Sequence, residues 1–451
     1  MRARSASRTV TRDPDWVRPS LQPVFSALAL LQSKCKIAAM PPTTRSGYIP
    51  RSLERTLRRA AREFPVVVLT GPRQSGKTTL LKHAFGPRHR YVSLEPPDVR
   101  AAAAADPRGF LALHSPPVIL DEIQHAPGLL PYVKEIVDAR RSRAGQFLLT
   151  GSQNLGMSAA VTESLAGRAA VLRLLPLSWR EIARDPDRRL PWDRSGRRPA
   201  SARRGQGAAL WPAFVRGTYP ELAAHPRRDA ELWHASYVQT YLERDVRSLR
   251  QVGDLVEFQR FLRAVAARSA QLLDLSDIAR ELGVAVNTAK AWLSVLEATY
   301  QVFLLRPYHA NVGKRLVKTP KVYMADVGLL CYLTGIRTAR QAREGPLAGP
   351  IFETAVVTEV VRTLTHRGRE PLVHFWRTSA GSELDLLVEE PGRLVPIEAK
   401  ASATPRPAMA AGIAAFRRDL GARADRGYVI HGGDVELPLG PDAAAWPFGR
   451  L

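Results

Sequence analysis

The sequence predicts an α/β protein that opens with a doubly wound parallel sheet and continues into two further domains. At 451 residues the chain is too long for one ordinary core, since domains commonly hold about 100–200 residues. Apolar, β-branched runs alternate with helical patterns in its N-terminal part, and a glycine-rich loop joins the first run to a helix. Strands that alternate with helices pair in parallel. Five such runs predict one sheet, with strands at residues 66–70, 90–94, 118–120, 147–150 and 171–174.

The loop after the first strand reads GPRQSGKT, a complete G-x-x-x-x-G-K-[ST] phosphate-binding motif. Its turn directs backbone N–H groups and a helix N-terminus at one anion, which predicts a P-loop NTPase. We expect Lys77 to reach the β and γ phosphates of ATP and the hydroxyl of Thr78 to hold Mg²⁺. Strand, loop and helix follow in the required order, which disfavours a chance match. The predicted nucleotide contacts here are Gly71, Pro72, Arg73, Gln74, Ser75, Gly76, Lys77, Thr78 and Thr79.

Two carboxylates, Asp121 and Glu122, directly follow the apolar run at residues 118–120. They therefore stand at the carboxyl edge of the sheet, where α/β proteins bind their ligands. We expect Asp121 to bind Mg²⁺ through water and Glu122 to polarise the water that attacks the γ-phosphate. An Asp-Glu pair after a strand is also a common helix cap. The phosphate loop upstream favours the catalytic interpretation.

Polar residues also follow the fourth predicted strand. Ser152, Gln153 or Asn154 is expected to hold the catalytic water and report the state of the γ-phosphate, and Asn154 is included among the nucleotide contacts. Arg168, in the segment SLAGR, is a candidate to complement phosphate charge in the same subunit or across an interface. Because the chain is rich in Arg, an ordinary surface Arg is the competing interpretation.

The overall composition favours a nucleic-acid partner only modestly. A formal net charge of +24 suits a polyanion. However, only ten of the 66 basic residues are Lys, and the chain is rich in Ala and Pro. This pattern is typical of a coding bias that scatters Arg over surfaces.

The sequence carries few signs of export or membrane insertion. The two cysteines, Cys35 and Cys331, lack metal-ligand spacing and predict neither a disulfide framework nor a zinc site. No apolar stretch approaches the ~20 residues that cross a bilayer, which predicts a soluble, cytoplasmic protein without a membrane partner. The N-terminus imitates a signal peptide, but Asp13 and Asp15 interrupt its basic region.

Composition divides the chain into segments. A Pro-, Gly- and Arg-rich stretch that begins at Arg184 predicts a flexible basic insertion, and a second stretch rich in Gly and Pro lies near residue 348. The predicted organisation is a disordered extension at 1–47, a P-loop domain at 48–183, the insertion at 184–210, a helical and winged-helix domain at 211–347, an α/β domain at 348–436 and a tail at 437–451.

The helical and winged-helix domain contains helix-turn-helix spacing at residues 275–293, with Gly283 at the turn. In a DNA-binding module Asn287, Thr288 and Lys290 would face the major groove, so DNA is favoured over RNA. Two β-like runs at 302–306 and 321–324 predict a wing, joined by a basic segment that contains Lys314, Arg315 and Lys318. Many winged-helix units only pack against other domains, and that interpretation stays open.

The α/β domain follows the order α-β-β-β-α-β. In its second strand, period-two alternation predicts Glu383 and Asp385 on one face and Leu384, Leu386 and Val388 on the other. In its third strand Glu398 and Lys400 share a face, so Asp385, Glu398 and Lys400 are expected to converge.

Together, these three side chains predict a nuclease-like site. Asp385 and Glu398 would bind Mg²⁺ while Lys400 positions a nucleophile, which are the parts needed for metal-assisted phosphodiester cleavage. Glu353, on the preceding helix, is a candidate additional ligand. Glu-x-Lys on a strand is more often a solvated ion pair. The prediction of a nuclease-like site therefore depends mainly on the order of the surrounding strands.

Several motifs together resemble one family: GPRQSGKT, VILDE, LLTGSQN, SLAGR, GTYPEL, YLERDV and ELDLLVEEPGRLVPIEAK. The chain resembles the prokaryotic AAA-type (ASCE) P-loop ATPases that carry a C-terminal domain of unknown function with a restriction-endonuclease-like core. The resemblance covers residues 48–432, and the insertion after Arg184 departs from it. It implies ATP binding through Gly71, Gly76, Lys77 and Thr78, hydrolysis through Asp121 and Glu122, and a nuclease-like pattern in Asp385, Glu398 and Lys400.

Two classes of function follow from these expectations. The preferred one is an ATP-hydrolysing switch that controls a winged-helix and nuclease-like region acting on nucleic acid. The alternative is an ATP-dependent protein-interaction switch with an inactive scaffold, in a homo-oligomer or with a protein partner. A small-molecule kinase fits poorly, because paired acids suit water activation better than an acceptor hydroxyl.

Overall fold

The computed structural model describes residues 47–151, 164–194, 206–241, 246, 254–308, 319–379 and 381–451, with 206–208 described for the backbone only. The chain divides into two compact units, Met1–Tyr48 and Ile49–Leu451. Every element named below lies in the second unit. The predicted extension at 1–47 lies almost wholly outside the described residues.

The first sheet is parallel throughout and has the strand order β2-β3-β4-β1-β5. All five predicted strands are confirmed, with ends displaced by at most two residues. The strands are β1 (Val66–Thr70), β2 (Arg90–Ser93), β3 (Val118–Asp121), β4 (Phe147–Gly151) and β5 (Ala169–Arg173). The surrounding helices are α1 (Leu53–Glu63), α2 (Lys77–Phe85), α3 (Pro97–Ala105), α4 (Pro107–Leu113) and α5 (Leu130–Ala139).

Strand order sets the geometry of the phosphate-binding edge. β4 lies between β1, which leads into the phosphate loop, and β3, which ends at Asp121. All residues of β1, β3 and β4 are buried, as expected for central strands covered on both faces. The ends of three neighbouring strands therefore meet at one edge.

A helical region follows, with a small antiparallel sheet of order β6-β8-β7. The two runs predicted as the strands of a wing pair with each other in this sheet, while Lys314, Arg315 and Lys318 lie outside the described residues. The elements are α6 (Trp179–Ile182), α7 (Gln206–Arg216), α8 (Pro220–Ala224), α9 (Ala230–Tyr241), α10 (Leu255–Ala267), β6 (Gln271–Leu272), α11 (Leu275–Leu282), α12 (Val286–Ala298), β7 (Val302–Leu305), β8 (Lys321–Met324), α13 (Val327–Leu333) and α14 (Ala339–Glu344).

The C-terminal sheet has the order β13-β14-β12-β11-β10-β9. Its β9-β10-β11 part is antiparallel, and β11, β12 and β14 run parallel. The elements are α15 (Ala348–His366), β9 (Val373–Arg377), β10 (Glu383–Glu390), β11 (Arg393–Lys400), α16 (Ala411–Leu420), β12 (Gly427–His431), β13 (Leu437–Pro438) and β14 (Ala443–Pro447). Most of α15 is buried, because it packs against β11, α13 and α1.

Two segments differ from the predicted organisation. Residues 437–451 do not form a tail, because β13 and β14 extend the C-terminal sheet and Leu451 is fully buried. Within the predicted insertion, Leu190 and Trp192 are buried in the large core shared by the helical region and the C-terminal domain. Residues 195–205 lie outside the described residues.

The predicted alternation in β10 is wrong at Leu384, which does not share a face with Leu386 and Val388. The register with β9 shifts between Leu384 and Leu387, as at a β-bulge. As a result, Leu384 packs in the cluster that includes Phe416 of α16, whereas Leu386 packs in the cluster that includes Phe352 of α15. The bulge puts Leu384 and Leu386 on opposite faces of the sheet.

Candidate functional site

The phosphate loop is shaped by two glycines with positive φ, Gly71 at 147° and Gly76 at 90°. A side chain at Gly71 would collide with the carbonyl oxygen of Leu174, so the loop requires glycine there. Gly76 precedes the first turn of α2. The buried Lys77 Nζ donates hydrogen bonds to the carbonyl oxygens of Gly71 (3.0 Å) and Pro72 (2.9 Å). The ammonium group is thus held inside the loop.

Asp121 and Thr78 meet across the edge of the sheet. Thr78 Oγ1 lies 3.0 and 2.9 Å from the two carboxylate oxygens of Asp121. The hydroxyl of Tyr91 donates to Asp121 Oδ2 at 2.7 Å, and the hydroxyl of Thr150 donates to Oδ1. Burial, with the charge and hydrogen bond of Asp121, raises the pKa of Tyr91. Tyr91 therefore stays a donor and fixes the orientation of the carboxylate.

Glu122 has a left-handed backbone, with φ 59° and ψ 49°. This conformation costs a non-glycine residue roughly 1–2 kcal/mol and persists where its surroundings impose it. Its backbone N–H donates to Thr150 Oγ1 at 3.0 Å, and its side chain accepts a hydrogen bond from Gln124. Glu122 is therefore held directly beside Asp121 at the end of β3.

The chemistry of these residues fits a magnesium-bound nucleotide. Ser75 Oγ in the loop is buried and has no hydrogen-bond partner in the described part of the chain. A hydroxyl and a carboxylate, from Thr78 and Asp121, supply the hard oxygen ligands that Mg²⁺ prefers, directly or through water. Lys77 supplies the cation for phosphate oxygens.

An arginine that sequence reasoning missed supports the loop from behind. Arg51 is buried; Nη1 donates to the carbonyl of Ser75 and Nη2 to that of Leu175, both at 2.7 Å. Its Nε lies 3.3 Å from Glu181 Oε1. No local motif marks Arg51, since its partners are distant in the sequence.

Glu181 links Arg51 to the end of α15. His366 Nδ1 lies 3.2 Å from Glu181 Oε1, and the Leu175 N–H donates to His366 Nε2 at 3.1 Å. Because Nε2 accepts this hydrogen bond, the ring hydrogen lies on Nδ1 and faces Glu181. Burial lowers the pKa of His366, although Glu181 opposes this shift. Burial would raise the pKa of Glu181, but Arg51 and His366 hold it well below its usual range.

Arg168 does not reach the phosphate loop of its own subunit, which contradicts that part of the prediction. It precedes β5 at the opposite edge of the sheet, where its carbonyl accepts from the N–H of Val66. Its side chain makes an ion pair with Asp138, with Nε 2.6 Å from Oδ1. Ser152, Gln153 and Asn154 lie outside the described residues.

The helix-turn-helix candidates lie in the first turns of α12. Asn287 and Lys290 are exposed there and Thr288 is half-buried, while Ala289 faces the core. Gly283 has φ 70°, as the predicted turn requires.

The structure brings Asp385, Glu398 and Lys400 together at the ends of β10 and β11. Lys400 Nζ lies 2.7 Å from Glu398 Oε1 and 4.0 Å from Asp385 Oδ2. Asp385 Oδ2 also accepts from the Ala399 N–H at 2.8 Å. Burial, followed by the charge of Asp385, raises the pKa of Glu398 to about 8.

A second lysine enters this cluster from β8. Lys321 Nζ lies 2.6 Å from Glu383 Oε1, 3.0 Å from Glu353 Oε1 and 4.0 Å from Asp385 Oδ1. Burial would lower the pKa of Lys321, but these carboxylates raise it overall. Glu353 has a pKa raised to about 7 by burial and by Asp385, and it accepts from the Tyr323 hydroxyl at 2.6 Å. Within the described ranges, no group of three or more His, Cys, Asp or Glu is arranged to hold a metal ion.

The parallel sheet, the phosphate loop and the Thr78–Asp121 pair are the features of a P-loop nucleotide-binding domain. Comparison with protein families agrees, since residues 63–183 match an AAA domain. Residues 208–340 and 348–451 match two domains of unknown function, DUF8612 and DUF4143.

Two mycobacterial proteins resemble nearly the whole chain. The uncharacterized proteins Rv2008c of Mycobacterium tuberculosis and Mb2031c of Mycobacterium bovis are each 32% identical over 397 residues, which cover 88% of this chain and 82% of theirs. The chain therefore belongs to the same family as these two proteins.

Solved structures show more distant similarity. The Walker-type ATPase PABY2304 of Pyrococcus abyssi is 14% identical, with a TM-score of 0.41, over 65% of this chain and 98% of that one. A RuvB variant of Thermotoga maritima is 17% identical, with a TM-score of 0.25, over 56% and 86% of the two chains. Among the helices in the described residues, none has the length and apolar character to span a membrane.

Proposed function

We propose that this protein is an ATP-hydrolysing switch that controls its C-terminal sheet domain, which has a restriction-endonuclease-like architecture and acts on nucleic acid. The observation that best supports hydrolysis is the placement of Lys77, Thr78 and Asp121 at one sheet edge, with Thr78 within 3.0 Å of both Asp121 oxygens. When bound, Mg²⁺ neutralises charge that develops on the transferred phosphoryl group.

Each residue has a separate task in this proposal. Backbone N–H groups of the loop hold the phosphates, and Lys77 moves its hydrogen bonds from loop carbonyls to phosphate oxygens. Thr78 and Asp121 would hold the metal, and Tyr91 keeps the carboxylate of Asp121 aligned. Glu122 orients the attacking water and accepts its proton.

The control function is supported by a continuous set of buried contacts. Ser75 in the phosphate loop contacts Arg51, which contacts Glu181, which contacts His366 at the end of α15. Thirteen residues earlier on α15, Glu353 contacts the C-terminal carboxylate cluster, roughly 20 Å away at 1.5 Å per residue. A rigid helix with contacts at both ends is a physical route for coupling between two sites.

A second route runs through the small sheet. The Tyr300 hydroxyl donates to Thr70 Oγ1 at 3.1 Å, and Thr70 is the last residue before the phosphate loop. Tyr300 precedes β7, which pairs with β8, and β8 begins with Lys321. A shift of the loop on nucleotide binding would thus be transmitted both to α15 and to β8, which carry Glu353 and Lys321 of the C-terminal carboxylate cluster.

Two observations support nucleic acid as the partner. The chain carries a formal net charge of +24, and Asn287 and Lys290 are exposed on α12, the second helix of a helix-turn-helix arrangement. The helix–strand–helix–helix–strand–strand order from α10 to β8 supports a winged-helix unit.

A second candidate is an ATP-dependent protein-interaction switch with an inactive C-terminal scaffold. The observation in its favour is that Lys321 and Lys400 already neutralise carboxylates that a nuclease would use for metal. The two candidates share the ATPase and differ in whether the C-terminal domain cleaves nucleic acid.

The test compares wild type with Lys77→Ala and Glu122→Gln. We expect Lys77→Ala to abolish nucleotide binding with the fold intact, and Glu122→Gln to retain ATP binding while phosphate release falls at least about a hundredfold. Release of ADP without free phosphate, or undiminished release in Glu122→Gln, would contradict water activation by Glu122.

The control step is tested with a labelled DNA duplex. We expect its affinity for Glu122→Gln to differ between ATP and ADP, and the difference to vanish in Lys77→Ala. Equal affinity in both nucleotide states would remove the coupling. Mg²⁺-dependent nicking that is lost in Asp385→Ala favours the nuclease, and its absence in wild type favours the scaffold.

A further inference from the structure

The segments that lead into the five parallel strands form a basic surface at the edge of the first sheet opposite the phosphate loop. This amino-edge surface consists of residues 62–65, 86–90, 114–117, 138–146 and 164–168. We propose that it binds the phosphate backbone of a nucleic-acid duplex without reading the base sequence. The inference goes beyond the proposed function, because it gives the P-loop domain a nucleic-acid contact of its own. It rests on the proposed function for the class of partner.

Charge is distributed unevenly over the P-loop domain. The amino-edge surface contains two acids, Glu63 and Asp138, and Asp138 is already paired with Arg168. Its other arginines are all exposed: Arg62, Arg88, Arg90, Arg140, Arg141 and Arg143. The segment that holds α3 and α4, residues 95–113, has instead three acids and two arginines. A coding bias that scatters Arg evenly over surfaces does not predict this contrast.

Four of the exposed arginines make no ion pair with a carboxylate in the described part of the chain: Arg88, Arg140, Arg141 and Arg143. Arg62 and Arg90 also have roles within the fold. Arg62 lies in the last turn of α1, where it offsets the helix dipole, and Arg90 donates to the carbonyl of Leu113 at 2.7 Å. A guanidinium group matches phosphate oxygens with paired hydrogen bonds, so four unpaired arginines are suited to a phosphate backbone.

The loop before β4 presents its arginines from a fixed backbone. The buried side chain of Gln146 donates from Nε2 to the carbonyls of Arg140 (3.1 Å) and Arg143 (2.8 Å). Gly145 has φ 66°, and a side chain there would collide with the carbonyl oxygen of Ala61, so the loop requires glycine. Little backbone entropy is therefore lost when the arginines bind a ligand.

The loop before β2 is joined to the loop before β4. His89 Nε2 lies 3.0 Å from the carbonyl oxygen of Gly145, so Arg88 and Arg143 belong to neighbouring loops in contact. Burial lowers the pKa of His89, and the charge of Arg88 acts in the same direction. The positive charge of this surface near neutral pH therefore comes from its arginines.

The width of the surface suits a duplex better than a small anion. Five strands spaced about 4.8 Å apart span about 19 Å. The strand order places Arg88 before β2 at one side of the sheet and Arg168 before β5 at the other, with the loop before β4 between them. A duplex carries one phosphate charge per about 1.7 Å of its axis, so this length presents roughly eleven charges. Cations spread over the whole width match such a linear polyanion.

An anionic membrane is the other large polyanion that attracts basic surfaces. Binding at a membrane interface also requires exposed apolar side chains beside the cations. The five segments of the amino-edge surface, all of them described, expose no large apolar side chain, and Leu113 lies beside the surface as a single exposed one. This composition favours nucleic acid.

Joint replacement of Arg140, Arg141 and Arg143 by Gln tests the surface, with duplex affinity measured by fluorescence anisotropy over a range of salt concentrations. Each phosphate contact contributes about 0.9 to the slope of log K against log salt, so we expect the slope to fall by about 2–3. The fall should be the same for two duplexes of unrelated sequence, since backbone contacts carry no sequence information. Replacement of the same three residues by Lys keeps the charge and should keep most of the slope.

The matched control removes the same charge from three exposed arginines that already form ion pairs elsewhere: Arg55, Arg340 and Arg343. Their joint replacement by Gln should leave the slope close to that of wild type. A wild-type slope in the Arg140, Arg141 and Arg143 variant, or an equal fall in the control, would overturn the proposal.

Chemical modification of the wild-type protein tests the same contact without a variant. Phenylglyoxal modifies exposed arginines, and mass spectrometry measures the rate at each position. A DNA duplex should slow modification of Arg88 and Arg143 several-fold and leave Arg340 unchanged. Absence of protection, or protection by phosphatidylserine vesicles and not by duplex, would overturn the proposal. If duplex protects Arg143 but binds with equal affinity in ATP and ADP, the surface stands and the proposed nucleotide control fails.

Discussion

Replacement of Arg51 by methionine should destabilise the protein and weaken ATP binding, whereas the same change at Arg55 should do neither. The two arginines flank the start of α1, and both form ion pairs. The Arg55–Asp187 distance, 3.0 Å, is shorter than the 3.3 Å between Arg51 and Glu181. Distance alone therefore predicts the larger effect at Arg55.

Burial reverses that order. The side chains of Arg51 and Glu181 are 4% and 0% exposed, against 80% and 62% for Arg55 and Asp187. Loss of one partner of a buried ion pair costs about 3–5 kcal/mol, because the other charge stays buried without compensation. In Arg51→Met, Glu181 still accepts hydrogen bonds from the backbone N–H groups of Ser52 and Ser178. We therefore expect a destabilisation at the lower end of this range, ~3 kcal/mol. An exposed pair contributes about 0–1 kcal/mol.

The assay is calorimetry on the two variants and wild type. For a cooperative unit of roughly 400 residues, a loss of ~3 kcal/mol lowers the unfolding midpoint by about 3–4 °C. Arg51→Met should also bind ATP at least about tenfold more weakly, since Ser75 loses its anchor. Equal midpoints for Arg51→Met and Arg55→Met, or wild-type ATP affinity in Arg51→Met, would refute the role of this contact.

Three further predictions concern the two sites. Gly71→Ala should lower ATP affinity at least about tenfold, because its methyl group meets the Leu174 carbonyl; Gly128→Ala, which meets nothing within 4 Å, is the matched control. Tyr91→Phe should slow phosphate release about tenfold with ATP affinity unchanged, because Asp121 loses one donor; a wild-type rate would argue against this alignment. Wild type should lose stability as pH rises from about 5 to 9, and Glu398→Gln should lack the part of this loss that Glu398 causes.

The sign of the pH effect follows from the raised pKa of Glu398, about 8 in the folded protein against 4.5 ordinarily. The folded protein holds this proton more tightly than the unfolded chain does. The resulting stabilisation is complete below pH ~4.5 and is lost as pH rises through ~8. Relative to Glu398→Gln, wild type should lose about 1 kcal/mol or more over this range in chemical unfolding. Parallel pH profiles for the two proteins would contradict the shifted pKa.

The P-loop domain was largely predictable because its signals are local. A β-branched run, a glycine-bracketed loop and two acids after a strand each lie within a few neighbouring residues, and the five strands follow from alternation. Asp385, Glu398 and Lys400 were brought together by strand order. Their predicted roles remain predictions.

Other features depend on distant contacts and left no local signal. Arg51 contacts Leu175 and Glu181, which lie far from it along the chain. Lys321 contacts Glu353 and Glu383 across a domain boundary. The bulge in β10 depends on its pairing with β9, which a period-two pattern does not record. The predicted role of Arg168 in its own subunit is wrong because the motif SLAGR does not show at which edge of the sheet its arginine lies. The final segment resembled a tail because its strands are short and follow turn residues.

Titration of Mg²⁺-ATP into the purified wild-type protein and into Lys77→Ala, followed by calorimetry, tests the central claim most directly. We expect one ATP to bind per wild-type chain and no measurable binding to a folded Lys77→Ala variant. Absence of heat from wild type, or equal affinity in the variant, would contradict a nucleotide site at this loop and the functions proposed on it.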